Sequence, residues 1–270
     1  MIVVGNSKGG TGKSTTAMHL AVGLLREGHQ VGTLDLDAQQ STLTRYVESR
    51  RAVAERRGLA LPQPLHRALK AGDRAQVEAT LAALAPLCDY VVIDTPAGEN
   101  ALSVGGHAHA DTLITPLNDS FVDLDVLARV DPDTHRVLRP SHYAATVWEM
   151  KKERARRDGR SIDWVVLRNR LANIDAHNKR AMATTLAALS KRIGFRVAPG
   201  LSERVIYREL FLLGLTLLDL REAETGVRLS LSHIAARREL RDLLDTLGLD
   251  PSARRAAARA GGTGPAAPAA

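Results

Sequence analysis

A glycine- and lysine-rich segment near the start of the chain contains the residue types that bind phosphate. Residues 5–15 read GNSKGGTGKST and lie between a short β-branched run at 2–4 and a helical pattern. Glycines let the backbone turn tightly with its N–H groups pointing inward, and the following helix adds its positive end to the same site. The order of strand, glycine-rich loop and helix is the context that a P-loop requires.

The residue types in this loop predict how the phosphates of a nucleotide would be held. Lys13 would bind the β- and γ-phosphates, and the Ser14 hydroxyl would ligate Mg²⁺. Thr15 follows at the N-terminus of the helix, where it would reach the α-phosphate. The nucleotide-binding residues expected from the loop are Gly9, Gly10, Thr11, Gly12, Lys13, Ser14 and Thr15.

Three aspartates follow buried strands in the first half of the chain. Asp35 and Asp37 come at the end of the second predicted strand, and Asp94 follows the apolar run YVVI. A carboxylate at the end of a neighbouring strand can hold Mg²⁺, usually through water. The predicted metal ligands are therefore Ser14 and Asp94, with Asp35 supporting the metal shell.

Short apolar runs are predicted to form the strands that position these residues. They lie at 2–4, 31–34, 90–93, 113–116 and 164–167, and 216–220 is the last candidate strand. Continuously apolar strands separated by helical sequence are typical of a parallel sheet that is covered on both faces. The predicted fold class is α/β, a doubly wound and mostly parallel sheet with helices on both faces.

Residues 1–250 are predicted to form a single domain, and the Ala-, Gly- and Pro-rich residues 251–270 a disordered tail. An arginine cluster at 154–160 is predicted to lie in a surface loop. His107 and His109 are two residues apart, and side chains at that spacing do not converge on a helix. No metal site is therefore expected from this pair.

The phosphate loop resembles that of the deviant Walker A ATPases, the ParA/MinD family of P-loop ATPases. Ser7 stands where the general pattern has Gly, and Lys8 matches the extra lysine of this family. The resemblance implies that Lys8 reaches the nucleotide held by the other subunit of an ATP-dependent homodimer. It also implies that Asp37 orients the attacking water, so that Lys8, Lys13 and Asp37 are the catalytic residues. Asn169 is expected to read the adenine edge, and ATP and Mg²⁺ are the implied cofactors.

Other parts of the chain separate the branches of this family. Cys88 is the single cysteine, which excludes an iron protein whose subunits each supply two cysteines to a shared cluster. No apolar run is long enough to span a membrane, and the residues after Pro251 lack the large apolar side chains of a membrane-anchoring helix. The segments at 115–123, 163–171 and 194–211 resemble the MipZ branch.

The resemblance to the MipZ branch implies a cytoplasmic, nucleoid-associated ATPase that switches between monomer and dimer. The dimer would bind DNA without sequence preference and inhibit polymerisation of the tubulin-like division protein FtsZ, and the monomer would be recruited by ParB. No membrane partner is implied. A ParA-type chromosome or plasmid partition ATPase, or a cargo-positioning ATPase, would have the same site residues, so that alternative stays open.

Positive charge is concentrated in the second half of the chain. Residues 1–150 contain 14 Lys and Arg against 17 Asp and Glu, whereas residues 151–270 contain 23 against 13. A basic surface favours association with polyanions, and contacts to phosphate need only Lys and Arg. The candidate DNA-binding residues are Arg168, Arg170, Lys179, Arg180, Lys191, Arg192, Arg196, Arg204 and Arg208.

Overall fold

The structure is a computed structural model of the 270-residue chain, and it describes residues 1–37, 39–131, 137–171, 176–220 and 230–249. The strands in these ranges are β1 (Ile2–Val4), β2 (Val31–Asp35), β3 (Leu65–Ala68), β4 (Tyr90–Asp94), β5 (Thr112–Asn118), β6 (Ala128–Val130), β7 (Val137–Pro140), β8 (Asp163–Asn169) and β9 (Arg196–Ala198). The α-helices are α1 (Lys13–Arg26), α2 (Thr42–Arg57), α3 (Arg74–Leu84), α4 (Ala101–Ala108), α5 (Phe121–Leu124), α6 (His142–Asp158), α7 (Ala176–Ile193), α8 (Ile206–Leu212) and α9 (Leu231–Leu247).

Seven of these strands form one parallel sheet in the order β3-β2-β4-β1-β5-β8-β9. β6 and β7 form a separate antiparallel ribbon. β1 is first in the chain but lies in the middle of the sheet, between β4 and β5. Later strands therefore lie on both sides of β1. In folds of this kind, ligands bind in the crevice at the carboxyl ends of the strands, where the strand order reverses. The predicted doubly wound α/β fold is confirmed.

The side chains of the central strand alternate between two hydrophobic layers. Ile2 and Val4 belong to the cluster that includes residues of α1, α2, α8 and α9, whereas Val3 belongs to the cluster with residues of α3, α4, α6 and α7. Successive side chains of a strand point to opposite faces of the sheet. Because both faces are covered by helices, every residue of β1 is apolar, and uninterrupted apolar runs of this kind are the pattern that predicted the central strands.

The strand predicted at 216–220 is wrong. Leu217–Asp219 forms a 3₁₀ helix, and the buried carboxylate of Asp219 accepts hydrogen bonds from the N–H and the hydroxyl of Thr216. The guanidinium of Arg50 also donates to Asp219, at 2.6 Å. A buried carboxylate needs several hydrogen-bond donors. The 3₁₀ helix supplies two of them, because it brings the N–H and the hydroxyl of Thr216 to Asp219.

The surface loop predicted for the arginine cluster at 154–160 is also wrong for most of its residues. Arg154 lies on α6, is only 3% exposed, and donates to Asp111 at 2.5 Å. The ion pairs of Arg154 with Asp111 and Asp158 neutralise a charge that would otherwise be costly to bury. The tail predicted at 251–270 lies outside the described residues. In the described ranges, no helix combines the length and the apolar character needed to cross a bilayer.

Candidate functional site

The glycine-rich loop lies between β1 and α1, at the point where the sheet order reverses. Gly10 and Gly12 have φ angles of +72° and +89°, a conformation that residues with a Cβ rarely adopt. A Cβ on Gly12 would lie 2.3 Å from the side-chain nitrogen of Asn169, so the loop also needs glycine there for space. The backbone of the loop is thus fixed by conformations and contacts that only glycine permits.

Two side chains from the opposite layer fix the start of this loop. The hydroxyl of Tyr143 donates to the carbonyl of Gly5 at 2.9 Å and lies 3.1 Å from Nε2 of His107. A Cβ on Gly5 would come within 2.4 Å of the same imidazole. His107 is buried, and burial lowers its pKa, so its place beneath the loop is structural.

Lys13 begins α1 and is 8% exposed. Its ammonium donates to the carbonyl of Lys8 at 2.9 Å, which holds the charge inside the curve of the loop. Burial lowers the pKa of Lys13, whereas the carboxylates of Asp94 and Asp37 act in the opposite direction. The lysine and the two aspartates predicted from the sequence are therefore close enough to interact electrostatically.

Asp94 ends β4 and is completely buried, and neither of its carboxylate oxygens has a hydrogen-bond partner of good geometry in the structure. Burial raises the pKa of Asp94 to about 8, although the nearby Ser14 hydroxyl and Lys13 ammonium favour the charged form. A buried carboxylate without partners is costly, and a divalent cation would remove that cost. Asp94 and Ser14 therefore fit a Mg²⁺ site.

The described residues contain no group of three or more His, Cys, Asp or Glu side chains arranged to hold a metal ion. Mg²⁺ in nucleotide sites is usually bound by one or two protein oxygens together with water and the phosphates of the substrate. A Mg²⁺ ion beside Asp94 and Ser14 would need such additional ligands.

Asp35 is buried, and both of its oxygens accept hydrogen bonds from the chain. Oδ1 accepts from the N–H of Asp37 at 2.9 Å, and Oδ2 accepts from the N–H and the hydroxyl of Thr44 at 2.9 and 2.7 Å. Asp35 pairs with Asp94 in the register of β2 and β4. The geometry makes Asp35 the residue that joins the end of β2 to α2 and holds the backbone of Asp37.

Lys8, the extra lysine of the loop, is bound to α5. Its ammonium donates to the carbonyl of Val122 at 2.5 Å and lies 3.1 Å from Oδ1 of Asp123. Sequence reasoning missed Asp123, because nothing in its local pattern indicates a partner in the loop. Lys8 therefore points to a segment of its own chain.

Asn169 ends β8, where the prediction placed it, and its side chain bridges two backbone segments. Its amide nitrogen donates to the carbonyl of Thr11 at 2.8 Å, and its oxygen accepts from the N–H of Arg170 at 2.9 Å. One N–H and one lone pair of this amide remain for a ligand. Beside it opens a cavity of about 280 Å³, lined by the start of α1, the end of β8 and α8.

Four of the nine candidate DNA-binding residues form ion pairs within the chain. These pairs, at 2.5–3.3 Å, are Arg168 with Asp119, Arg196 with Asp163, Arg204 with Glu239 and Arg208 with Glu203. The side chains of Arg168 and Arg204 are only 14% and 16% exposed. The positive charge of Arg168 and Arg204 is therefore largely balanced within the chain before any polyanion arrives.

The other candidates differ in what the structure shows of them. Arg170, Arg180 and Lys191 are exposed and have no ion pair within the described ranges, and Arg192 donates to the carbonyl of Val137 at 2.8 Å. Lys179 lies in α7, and its side chain is outside the described part of the chain. The stretch 168–208 therefore does not present all of its basic residues as one surface.

A stretch of 37 residues is 57% identical to an iron–sulfur cluster carrier protein of Pseudomonas fragi, which covers 14% of this chain. The chain spans 13% of the length of that curated relative.

Several solved structures have the same fold. Apo McdA from Cyanothece has a TM-score of 0.62 at 18% identity, over 91% of this chain and 98% of that one. The septum site-determining protein MinD from Pyrococcus horikoshii, complexed with Mg-ADP, has a TM-score of 0.59 at 18% identity, over 92% and 96%. A second Cyanothece McdA structure, an ATP complex, has a TM-score of 0.58 at 18% identity, over 92% and 96%.

The model of the family described as ATPase MipZ matches residues 1–251. This range includes the glycine-rich loop, the three aspartates and every strand and helix described above. The chain belongs to the MipZ family of ATPases.

Proposed function

We propose that the protein binds and hydrolyses ATP with Mg²⁺ at the loop between β1 and α1. The observation that carries this proposal is the buried carboxylate of Asp94, whose oxygens lack a hydrogen bond of good geometry within the described ranges and which lies beside Ser14 and Lys13. Membership of an ATPase family supports it, and so do the McdA and MinD structures of the same fold, which hold ATP and Mg-ADP. Bound Mg²⁺ would neutralise negative charge that develops on the transferred phosphoryl group.

The residues of the chain would act mainly by position and charge. Lys13 and the N–H groups of the loop stabilise the phosphates, and the N-terminus of α1 adds to their effect. Asp37 orients the attacking water. Asp35 positions Asp37, because its carboxylate holds the Asp37 N–H and ties this segment to Thr44 on α2.

Measurements of ATP binding and of phosphate release test the proposed site. Titration of the full chain with ATP and Mg²⁺ should give saturable binding, and phosphate release should follow. Asp94→Asn keeps the shape of the side chain but weakens its interaction with a cation, so Mg²⁺-dependent ATP binding should fall. Asp125→Asn, which changes an exposed aspartate directly after α5, is the matched control and should leave binding unchanged. Equal binding by all three proteins would contradict the proposed site.

We also propose that ATP drives formation of a homodimer through Lys8. The ammonium of Lys8 is held by Val122 and Asp123 of its own chain, so it must leave them before it can reach a nucleotide in a second subunit. The pair is only partly exposed, at 33% for Lys8 and 14% for Asp123. The monomer therefore contains a contact that competes with dimer formation.

The cellular role that fits the family best is regulation of the division site. The dimer would bind DNA without sequence preference and inhibit FtsZ polymerisation, and the monomer would be recruited by ParB, which would place the protein in the cytoplasm on the nucleoid. Family membership supports this role. Among the candidate residues, Arg170, Arg180 and Lys191 are exposed and form no ion pair in the described ranges, so their charge is available to phosphates.

A partition or cargo-positioning ATPase would share the ATP chemistry, and an assay with purified FtsZ separates the two roles. The ATP-bound protein should shorten FtsZ filaments, as judged by sedimentation and electron microscopy. The Lys13→Ala protein, which should not bind ATP, is the control. Filaments that keep their length with the ATP-bound wild type would overturn the division role and leave the ATPase proposal intact.

A further inference from the structure

The cavity beside Asn169 is lined by polar side chains that have no role in the proposed ATP hydrolysis. His19, on α1, and Tyr207, on α8, both line this cavity. His19 is 2% exposed, and its Nε2 atom has no hydrogen-bond partner among the residues that the structure describes. The hydroxyl of Tyr207 is also buried, and it has no partner in the described part of the chain. Buried polar atoms are nearly always paired, so two orphans in one cavity indicate a missing ligand or water.

The contacts of His19 define what it needs from a ligand. Its Nδ1 atom lies 2.8 Å from the carbonyl oxygen of Thr15, so Nδ1 carries the proton that is donated there. Burial lowers the pKa of His19 to about 4, which keeps the ring neutral near pH 7. In the neutral ring with Nδ1 protonated, Nε2 is an acceptor. The group that completes this site is therefore a hydrogen-bond donor.

The position of His19 relates this acceptor to the phosphate loop. His19 lies one helical turn beyond Thr15, on the same face of α1, and Gly12, Thr15 and Asn169 line the same cavity. A nucleotide whose phosphates lie on the loop would have its sugar and base nearby. The cavity thus lies where the nucleoside part of that ligand would be placed.

We propose that Nε2 of His19 accepts a hydrogen bond from a donor on the nucleoside of the bound nucleotide, and that the Tyr207 hydroxyl makes a second contact to the same nucleoside. This inference rests on the proposed ATP binding. The donor is either a ribose hydroxyl or the exocyclic amine of adenine. His19 and Tyr207 are in this view specificity-determining residues.

Packing alone does not account for the two side chains. The ring of His19 makes edge contacts with Tyr207 and Tyr46, with centroid distances of 5.2 and 6.4 Å. Apolar residues of similar size would make such contacts without burying an unpaired acceptor. A purely structural role would therefore leave both orphaned atoms unexplained.

The test combines side-chain variants with nucleotide analogues. Affinities of the full-length wild type for ATP, 2′-deoxy-ATP, 3′-deoxy-ATP and ITP are measured by calorimetry with Mg²⁺. ITP carries an oxygen in place of the exocyclic amine, and each deoxy analogue lacks one hydroxyl. We expect one of the three analogues to bind about tenfold more weakly than ATP, because that analogue lacks the donor group and leaves Nε2 of His19 unpaired. Which analogue is weaker identifies the donor as sugar or base.

His19→Met removes the acceptor and should lower ATP affinity about tenfold, while the discrimination against that analogue disappears. His19→Gln places an oxygen at similar reach and should restore part of the discrimination. Tyr207→Phe removes only a hydroxyl and should weaken ATP binding severalfold. Thermal unfolding of each variant checks that the fold is kept. If His19→Met does not fold, the binding measurements on Tyr207→Phe test the proposal.

Two outcomes would overturn the inference. Wild-type affinities that are equal for all four nucleotides would show that no nucleoside donor is read. If His19→Met and Tyr207→Phe both keep the wild-type difference in affinity between ATP and the weaker analogue, other residues recognise the nucleoside. Either result with intact ATP binding leaves the proposed ATPase standing, whereas a wild type that binds no ATP would overturn both.

Discussion

The Nζ atom of Lys8 lies 3.1 Å from Oδ1 of Asp123, a residue 115 positions later in the chain. The same ammonium donates to the carbonyl of Val122. A residue that is expected to act on the nucleotide of another subunit is thus bound to a short helix of its own chain. The balance between these two sets of contacts would set how readily the monomer becomes a dimer.

Asp123→Ala should shift the monomer–dimer equilibrium toward the dimer in the presence of ATP. The ion pair with Lys8 is partly exposed, and such pairs contribute about 0.2–1 kcal/mol. Because each of the two subunits must release one pair, the dimer dissociation constant should fall about two- to thirtyfold. Analytical ultracentrifugation at several protein concentrations measures the change. Asp125→Ala, two residues later and exposed, should have no such effect. A weaker dimer in Asp123→Ala alone would mean that Asp123 stabilises the dimer instead.

Asp37→Ala should keep ATP binding and lose phosphate release. The Asp37 side chain is outside the contacts that hold the loop, and its carboxylate accepts a long hydrogen bond from the N–H of Gln40, at 3.3 Å. Removal of a water-orienting group commonly lowers turnover about 10²- to 10⁴-fold. Single-turnover hydrolysis and nucleotide binding are measured on the same protein. Loss of ATP binding itself would refute the catalytic role given to Asp37.

Acid should destabilise the fold through Asp219. Burial opposes ionisation of Asp219, but hydrogen bonds and charge from Arg50, with further donors from Thr216 and Arg26, outweigh it and lower its pKa to about 2. Because the folded pKa is below the usual value, this contribution to stability is complete above about pH 4 and is lost as the pH falls toward 2. A shift of this size corresponds to about 2–3 kcal/mol.

Urea unfolding of Asp219→Asn checks this expectation. At pH 7 the variant should be less stable than the wild type by about 3–5 kcal/mol, because Arg50 is fully buried and loses its counter-charge. The difference should narrow as the pH approaches 2. Asp163→Asn, which breaks a half-exposed pair with Arg196, should cost less than about 1 kcal/mol. A difference in unfolding free energy between the wild type and Asp219→Asn that is constant from pH 7 to pH 2 would contradict a lowered pKa of Asp219.

Charge reversal on α7 should separate the exposed basic residues from the paired ones. Arg180→Glu and Lys191→Glu should each weaken binding to duplex DNA for all sequences alike, and each lost phosphate contact should reduce the salt slope by about 1. Arg168→Gln breaks a pair with Asp119 and should alter thermal stability more than DNA affinity. Affinities that do not change in the two α7 variants would remove them from the DNA surface.

The sequence predicted the centre of the sheet better than its edges. β1 and β4 are apolar at nearly every position because both of their faces are buried, so their pattern was clear. β3 is half exposed, follows Pro62 and Pro64, and is absent from the predicted strands. A short edge strand has one neighbour and a weak apolar pattern, so local sequence contains little sign of it.

Long-range charge pairing was the main feature that the sequence could not show. Arg168 was a candidate for DNA contact, but its partner Asp119 is 49 residues away and meets it only because β5 and β8 are adjacent. Asp123 was missed as a partner of Lys8 for the same reason. The residues of the loop itself were predictable, since their roles depend on spacing within one short segment.

The mass of the Asp37→Ala protein in solution tests the proposed ATP-driven dimer most directly. Light scattering after size-exclusion chromatography is recorded with Mg-ATP and with Mg-ADP. We predict a dimer with ATP and a monomer with ADP, and a monomer in both when Lys8→Ala is added. A mass that is independent of the nucleotide, or a dimer that persists without Lys8, would contradict the proposal.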